Sequence, residues 1–349
     1  IPEPVVAQLH GHRPLKFSNE GLAVEIPSLL NQMGYEVDIV SWDDQEFVPD
    51  KNYDVAILHG SKSKEFLEKL QANKTTIVYF STGSYWAFHN QAEKKRFRDL
   101  QKRRGVELPY DRYINQSEEE VNSVADAIIC LGNSIIANTY SKFKQVYNLN
   151  IGVYTDPKSA TLFHAWDHAR NNFLFFSGGG NVHKGLDLLL DAFSGSDKHL
   201  YIATGLDKEF ADLYKKELYE TPNIHYLGFV EQRSKLFYQT VRDCGFVILP
   251  SCSEGSPGSV VDCMQYGLIP VATPEAGLDL ASVGFEIHDI TIAAIQQLVN
   301  KLSEKSPKEL EQKSALAQQT ARSDYSAETF SRNFTQILAK IETTLRRVT

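Results

Sequence analysis

The sequence predicts an α/β protein built from two Rossmann-like, doubly wound domains. Short apolar strands alternate with amphipathic helices along most of its 349 residues, a rhythm typical of open parallel sheets. A polar, irregular stretch, "TDPKSATLFHAWDHARNN", interrupts this alternation. The alternation then restarts with "NFLFFSGGG", a strand that runs into three glycines. We therefore predict an N-terminal domain over residues 1–160, completed by a C-terminal helix over 326–349, and a second domain over 161–325.

Each half of the chain carries its own series of predicted elements. In the first half "PVVAQLH", "YEVDIVSW", "YDVAILHG", "TTIVYFSTG" and "DAIICLGN" are strand-like, and "GLAVEIPSLLNQMG" has helical spacing. In the second half the strands are "NFLFFSGGG", "HLYIATG", "IHYLGFV", "GFVILPS" and "LIPVAT". The helix "KGLDLLLDAFSG" between the first two places four apolar residues on one face: Leu186, Leu189, Leu190 and Phe193. The final stretch "SAETFSRNFTQILAKIETTLRRV" predicts a long helix.

Composition excludes several classes of function. A net charge of −8 and a pI near 5.7 argue against a nucleic-acid partner. No apolar run approaches the roughly 20 residues of a membrane span, and "IPEPVVAQLHGH" lacks the pattern of a signal peptide. The four cysteines form no CxxC pair, which favours reduced thiols in a cytoplasmic protein: Cys130, Cys244, Cys252 and Cys263.

The glycine loop in "FFSGGGNVHKGLDLLL" is the first candidate site. Gly178, Gly179 and Gly180 follow a strand, and Lys184 stands at the mouth of a helix. Exposed backbone N–H groups, a helix N-terminus and one lysine suit a phosphate. The spacing fits neither the dinucleotide fingerprint nor the P-loop. A tight strand-to-helix corner is the alternative explanation, and the loop by itself does not decide between the two.

The stretch "PSCSEGSPGSVVDCM" is the second candidate site. Glu254 lies in the loop at the carboxyl end of a buried strand that ends at Pro250, where ligands of doubly wound sheets bind. A helix is predicted from Ser259, which places Asp262 in its first turn. Asp262 either completes a capping box with Ser259 or accepts hydrogen bonds from sugar hydroxyls.

On these two motifs, the second half of the chain resembles the donor domain of retaining glycosyltransferases of family 4, which have the GT-B fold. The resemblance implies that the two doubly wound domains face a central cleft. That family carries a glycine-led strand-to-helix loop with a Lys-Gly pair, here "GGGNVHKGLDLLLDAF". It also carries an E-x₇-E motif, here "PSCSEGSPGSVVDCMQYGLIPV". The resemblance covers most of residues 172–275. The residues that match the second motif are Pro250, Ser251, Glu254, Gly255, Gly267, Pro270 and Val271.

The resemblance implies a nucleotide-diphosphate sugar as donor. UDP is favoured over GDP as the nucleotide of this donor. Glu254 would contact the donor sugar, Asp262 the ribose, and Lys184 with the glycine loop the diphosphate. Further donor contacts are implied at six residues: Gly228, Val230, Ser256, Pro257, Gly258 and Ser259. The acceptor would be a hydroxyl of a glycan, a lipid-linked sugar or a small molecule, as in polysaccharide biosynthesis. Neither a metal nor another cofactor is required, because Lys184 and a helix N-terminus can neutralise the leaving group.

Two departures from the family pattern keep other functions open. Asp262 stands where the family has a second Glu, and Gly178 or Gly179 stands where the family usually has an Arg. Arg233 is one candidate to replace that Arg. The departures favour, as an alternative, a catalytically weak subunit that binds nucleotide sugars or serves as a scaffold. A sugar-nucleotide epimerase of the same fold is a further alternative, and a dehydrogenase is the weakest.

The first half of the chain offers candidate acceptor-side residues. Asn19, Glu20 and Gly21 lie near the place of the family's glycine-containing loop. His89, in "STGSYWAFHNQ", is the candidate for the family's histidine beside the donor sugar and is counted with Glu254 as catalytic. Tyr85 and Trp86 either stack on the acceptor or pack the domain. His10 and His12 lack a clear third ligand and indicate no metal site.

A basic stretch, "EKKRFRDLQKRRG", completes the set of candidates. It carries seven basic and two acidic residues between Glu93 and Arg104. A solvated helix face is the favoured interpretation. The alternative is that residues 94–104 contact a negatively charged partner. That partner is either anionic lipid, in a peripheral contact at the inner face of a membrane, or a phosphorylated acceptor.

Overall fold

The computed structural model describes residues 19–41, 44, 46–162 and 164–346. The chain divides into two compact units. The first comprises Ile1–Phe88, Ile114–Tyr154 and Asp324–Thr349, and the second comprises His89–Tyr113 and Thr155–Ser323. The chain passes between units at 154/155 and 323/324, near the predicted boundaries. Residues 89–113, which we assigned to the N-terminal domain, cluster with the second unit instead.

The first unit is built on four parallel strands in the order β1-β2-β3-β4. Their bounds are β1 Val55–Leu58, β2 Thr76–Ser81, β3 Ala127–Leu131 and β4 Gln145–Leu149. The helices are α1 Asn19–Gln32, α2 Lys64–Ala72, α4 Glu119–Val124, α5 Ser134–Asn138 and α14 Ala327–Arg346, and α3 Trp86–Arg104 starts in this unit. Three of these strands were predicted, whereas β4 was not, because "QVYNL" is too polar to stand out.

Two predicted strands of the first half have other outcomes. "PVVAQLH" lies outside the described residues. "YEVDIVSW" forms no strand among them, so that prediction is wrong for its described part. Exposure nevertheless alternates from Tyr35 to Val40, with every second residue facing solvent. Its side chains therefore alternate as they do in a strand, but its backbone pairs with no described strand.

The C-terminal helix α14 belongs to the first unit, and its apolar spacing explains why. Phe330, Phe334, Leu338 and Ile341 follow one another at intervals of four, four and three residues and are all buried. The ring of Phe334 meets Phe80 of β2 edge-on, with centroids 6.3 Å apart. The predicted long final helix is therefore confirmed, and it is held by an apolar stripe.

The second unit is built on six parallel strands in the order β10-β9-β8-β5-β6-β7. Their bounds are β5 Asn172–Phe176, β6 His199–Ala203, β7 Ile224–Gly228, β8 Phe246–Leu249, β9 Ile269–Ala272 and β10 Phe285–Glu286. The helices are α6 Trp166–Ala169, α7 Leu186–Phe193, α8 Lys208–Leu213, α9 Lys215–Glu220, α10 Lys235–Asp243, α11 Gly258–Gln265, α12 Ile292–Ser303 and α13 Pro307–Ser323. Counted from β5, this is the 3-2-1-4-5-6 order of a doubly wound sheet, whose switch point lies between β5 and β8.

Among the described residues no helix has the length and apolar character that a membrane span requires. All four cysteines are free thiols, and Cys252 alone is partly exposed. Burial raises the pKa of Cys252 to about 12, so this group is a protonated thiol at neutral pH.

Candidate functional site

The two candidate loops of the second unit leave the sheet side by side at its switch point. Strands β5 and β8 pair in parallel, with Phe173 opposite Phe246. The loop 177–185 and the loop 250–257 therefore start at the same sheet edge, where ligands of such sheets bind. The loops touch at Gly185: a Cβ there would lie 2.6 Å from the carbonyl oxygen of Pro250, and its φ is +79°. Gly185 thus forms a tight corner between the two loops, whereas the phosphate site at Gly178, Gly179 and Gly180 stays a prediction.

Lys184 and Glu254 face each other across the two loops. The Lys184 Nζ lies 3.5 Å from Glu254 Oε1, and the side chains are only 11% and 12% exposed. Ser251 Oγ donates a hydrogen bond to the same carboxylate oxygen (3.1 Å). Burial alone would raise the pKa of Glu254, but the charge of Lys184, with other positive neighbours, outweighs it and holds the pKa below 4.5. The site therefore holds an ionised carboxylate beside an ammonium group.

Helix α11 corrects the alternative role of Asp262. The helix begins at Gly258, one residue earlier than predicted, and no side chain caps it. The capping-box interpretation of Asp262 is therefore wrong. Asp262 is 7% exposed and accepts hydrogen bonds from the side-chain amides of Gln232 (2.5 Å) and Gln265 (2.9 Å). Its contact with a ribose stays a prediction.

The other predicted donor residues lie at the ends of their strands or at the start of α11. Gly178 is exposed and Gly180 is buried. Ser256 is buried, and its hydroxyl has no hydrogen-bond partner among the described atoms. Beyond β7, Val230 is buried while the neighbouring Phe229 is 64% exposed. A ligand at this strand end would meet the Phe229 ring and the backbone of Val230, whose side chain faces inward. Of the remaining predicted donor residues, Gly179 and Pro257 lie in the two loops, Gly228 is the last residue of β7, and Ser259 lies with Gly258 in the first turn of α11.

His89 is brought to the Glu254 loop, since it belongs to the second unit. Its ring stacks on His183, with centroids 4.5 Å apart. Burial lowers the pKa of His89, so the ring is neutral at neutral pH. Its Nε2–H then donates to the carbonyl of Arg112 (2.8 Å), and Nδ1 accepts from the hydroxyl of Ser253 (3.2 Å). Both ring nitrogens are engaged, which gives His89 a positioning role; its predicted catalytic role stays a prediction.

His183 was not singled out from the sequence, although it lies inside the glycine loop. It is fully buried, and burial lowers the pKa of His183 to about 3. The neutral ring donates from Nε2 to the carbonyl of Ser253 (2.5 Å), and the Cys252 thiol lies 3.6 Å from Nδ1. His183 therefore joins the glycine loop to the Glu254 loop.

His89, Glu93 and His183 form the one group among the described residues whose donor atoms lie close enough for a metal, all within 4.8 Å of one another. The ring nitrogens of both histidines already have protein partners. A metal would have to displace those partners, so the hydrogen-bond network explains the cluster without an ion. The absence of a metal requirement stays a prediction.

Helix α3 fastens the segment 89–113 to the glycine loop. Glu93 is fully buried, and its Oε1 accepts from the backbone N–H groups of Asp111 (3.1 Å) and Arg112 (2.6 Å). Asp111 in turn accepts from the N–H of Val182 (2.9 Å). Burial raises the pKa of Glu93 to about 7 and also raises that of Asp111. The neighbouring carboxyls therefore retain a proton well above the usual range.

The Glu93 carboxyl predicts a pH-dependent stability. Its pKa is 4.5 in an unperturbed chain and about 7 in the folded unit. Between these values the unfolded chain has released a proton that the folded chain keeps. The free energy of unfolding therefore falls as pH rises, by at most about 1.4 kcal/mol per pH unit, and levels off above the folded pKa. In Glu93→Gln the acceptor oxygen remains but the titration is lost, so we expect a flatter profile in urea unfolding.

The matched control for this experiment is Glu107→Gln, because Glu107 lies in the same segment and is exposed. Its pH profile should equal that of the wild type. The free energy of unfolding of Glu93→Gln should fall less steeply than that of the wild type between about pH 5 and 7. Equal slopes would contradict the assignment of the retained proton to Glu93 and Asp111.

The basic stretch is largely used inside the second unit. Arg96 is buried and donates to the carbonyl of Pro250 (2.7 Å). Arg103 pairs with Asp187 and Asp191 of α7, and Arg104 pairs with Asp191 and with Glu217 (2.8 Å). The simple solvated-face interpretation is therefore wrong for these three arginines. The exposed basic residues of the stretch are Lys94, Lys95, Arg98 and Lys102. Lys95 and Lys102 pair with Asp99 (2.9 and 3.9 Å), and contact with a membrane surface or a phosphorylated acceptor stays a prediction.

The predicted acceptor-side residues belong to the first unit. Tyr85 is buried, with its ring edge-on to Tyr140 and Phe143, so the packing interpretation is correct for it. Trp86 packs against the same core and stays partly exposed. Asn19, Glu20 and Gly21 form the first turn of α1 instead of a loop. His10 and His12 lie outside the described residues.

Residues 170–304 match the family model described as glycosyl transferases group 1, which spans most of the second unit. No curated protein matches the chain. The two candidate loops both lie inside the matched range, whereas the segment 89–113 lies outside it.

Three solved structures illustrate the likeness in fold. Anabaena HepE in complex with UDP is 14% identical over 82% of this chain and 79% of that chain, with a TM-score of 0.57. Sucrose-phosphate synthase from Thermosynechococcus elongatus is 12% identical over 99% and 81%, with a TM-score of 0.57. TarM of S. aureus is 15% identical over 81% and 54%, with a TM-score of 0.55, so this chain spans about half its length. At such identities the likeness concerns the fold alone.

Proposed function

We propose that this chain is a glycosyltransferase of the GT-B type, which the family match over residues 170–304 supports, and that it transfers a sugar from a nucleotide-diphosphate donor with retention of the anomeric configuration. UDP is the favoured nucleotide and GDP the alternative. The acceptor is a hydroxyl of a glycan, a lipid-linked sugar or a small molecule. The observation that carries the proposal is the Lys184–Glu254 pair (3.5 Å) at the switch point of the second sheet.

The pair suits a leaving diphosphate and a sugar. As the glycosidic bond to the diphosphate breaks, negative charge grows on the leaving oxygen, and a fixed ammonium group stabilises that charge in the transition state. The Glu254 carboxylate is ionised and accepts hydrogen bonds only. It therefore suits the hydroxyl groups of a sugar held next to that leaving group. The Anabaena HepE structure, which contains UDP, supports UDP as the first nucleotide to test.

A panel of nucleotides tests this proposal. Thermal shifts are measured with UDP, GDP, ADP, NAD and common nucleotide sugars on the wild type, Lys184→Ala and Glu254→Ala. A ligand at 100 times its Kd adds about 2.7 kcal/mol to the free energy of unfolding. We expect a shift with one nucleoside diphosphate in the wild type and its loss in Lys184→Ala. No shift with any nucleotide sugar or diphosphate would contradict the proposal.

A second candidate is a subunit that binds nucleotide sugars without turnover. It is favoured by one observation: the loop 177–185 contains a single side chain that is cationic at neutral pH, Lys184. Release of the nucleoside diphosphate from the donor separates the two candidates. A transferase releases it slowly to water and faster with an acceptor, and NMR of the product then reports the anomeric configuration. A thermal shift without any release identifies the binding subunit.

A further inference from the structure

The charge balance of the candidate donor site leaves room for a second cation. Lys184 lies 3.5 Å from Glu254, so the pair is close to neutral. A nucleoside diphosphate brings at least two negative charges at neutral pH. His183, the other basic residue of the loop, is neutral because its pKa is about 3. A second positive group must therefore come from outside the glycine loop.

Arg112 lies directly against that loop. A Cβ at Gly180 would be 2.9 Å from Arg112 Cγ, 3.0 Å from its Cδ and 3.6 Å from Lys184 Cε. The side chains of Arg112 and Lys184 thus flank the same glycine, and any side chain at position 180 would displace the arginine. Gly180 also has a φ of +80°, which L-residues rarely adopt. The glycine leaves the space that the arginine occupies.

The backbone of Arg112 is held from both sides. Its N–H donates to Glu93 (2.6 Å), and its carbonyl accepts from His89 (2.8 Å). The preceding Asp111 accepts from the N–H of Val182 in the glycine loop (2.9 Å). These hydrogen bonds fix the backbone of Arg112 and therefore the position from which its side chain extends. Ligand binding then costs less conformational entropy, because this part of the residue is already ordered.

The guanidinium is available to a ligand. Arg112 is exposed, and no described residue accepts a hydrogen bond from its side chain. Its charge is among the causes that lower the pKa of Glu254, which places it within electrostatic reach of the site. The charge of Arg233, the substitute suggested by the sequence, is among the causes that lower the pKa of Asp156, and its contact with a diphosphate stays a prediction.

We propose that Arg112 is a second diphosphate-binding cation, so that the diphosphate of the donor lies between Arg112 and Lys184. The inference rests on the proposed function and deepens it by naming a binding residue outside the range of the family model. A guanidinium binds phosphate oxygens through paired N–H groups. It supplies the charge that the glycine at position 178 or 179 does not.

Calorimetric titration with UDP and GDP tests the inference on the wild type, Arg112→Ala and Arg112→Lys. Charge-assisted hydrogen bonds of this kind correspond to about a 10- to 100-fold change in affinity. We expect Arg112→Ala to raise the Kd of the preferred diphosphate by that factor, with Arg112→Lys in between. The control Arg98→Ala removes an exposed arginine of α3, in the same segment 89–113, and should leave the Kd unchanged.

A variant with the arginine moved from position 112 to position 178 shows whether affinity depends on the positive charge or on the local structure around Arg112. Gly178 has no heavy atom within 4 Å of a built Cβ and no positive φ, so Gly178→Arg is accommodated there. Added to Arg112→Ala, it should recover most of the lost affinity. An unchanged Kd in Arg112→Ala, or a loss that Gly178→Arg leaves uncorrected, would overturn the role of Arg112. Failure of the wild type to bind either diphosphate would instead overturn the proposed function.

Discussion

Lys184→Met should lower the rate of sugar transfer by about 100- to 1000-fold, the range typical for loss of one preorganised group that stabilises transition-state charge. Lys184 is only 11% exposed, so water cannot easily replace its ammonium group. Methionine keeps the length and apolar stem of the side chain without its charge. The effect is measured as release of the nucleoside diphosphate in the presence of acceptor.

The pattern of kinetic constants shows where Lys184 acts. If it stabilises the leaving group in the transition state, kcat and kcat/KM fall together. An increase in KM alone would show that it only binds the donor. Because Lys184 is the main positive charge that lowers the pKa of Glu254, that pKa should also rise in the variant. The acidic limb of the pH profile should then move to higher pH.

The control for this variant is Lys208→Met, which removes an exposed lysine from the same unit. Its transfer rate should equal that of the wild type. A Lys184→Met enzyme with unchanged kcat and KM would refute the assignment of the donor site to these two loops.

Gly185→Ala should cost about 2–4 kcal/mol in free energy of unfolding. The added Cβ would lie 2.6 Å from the Pro250 carbonyl oxygen and 2.8 Å from Pro250 Cγ, so the two site loops must move apart. Overpacking of this kind costs roughly 1–3 kcal/mol, and the left-handed φ of +79° adds about 1 kcal/mol for a residue with a Cβ. The loss is measured by urea unfolding.

Gly195→Ala is a closely matched control. Gly195 has the same φ of +79°, but nothing lies within 4 Å of its Cβ position. It should therefore show only the backbone cost of about 1 kcal/mol. Equal losses in the two variants would show that the close approach of Gly185 to Pro250 contributes no stability. Of these two variants, only Gly185→Ala should weaken nucleotide binding, because Gly185 lies against Pro250 of the other loop and Gly195 does not.

Lys184 and Glu254 were found from the sequence because their positions depend on local signals. Each follows a short buried strand, and glycine or proline ends the strand nearby. Residues at strand ends in an α/β sheet are predictable once the strands are, since parallel strands place their carboxyl ends at one edge. Phe229 could have been found in the same way, as a large apolar residue just after the end of β7.

Arg112 and Glu93 were missed because no local pattern marks them. Helix α3 has little amphipathic pattern, because its buried face includes the charged side chains of Glu93 and Arg96. Arg103 and Arg104 looked like surface charges, yet the carboxylates of α7 and α9 are their partners. The sequence contained one signal, which was a missing positive charge. Where the resemblance implies an arginine this chain has a glycine, so another part of the chain must supply that charge.

The sequence alone thus determined the two α/β halves, the strands around the switch point, and the loops that carry Lys184 and Glu254. These features follow from hydrophobic periodicity and turn residues within about 10–20 neighbouring positions. Only the tertiary structure decided that residues 89–113 belong with the second unit, that Asp262 does not cap α11, and that Arg112 fills the space at Gly180. These outcomes depend on satisfying buried polar groups across the fold: Asp111 and Val182 are 71 residues apart, and Gln232 and Asp262 are 30 apart. No local pattern encodes which partners will meet.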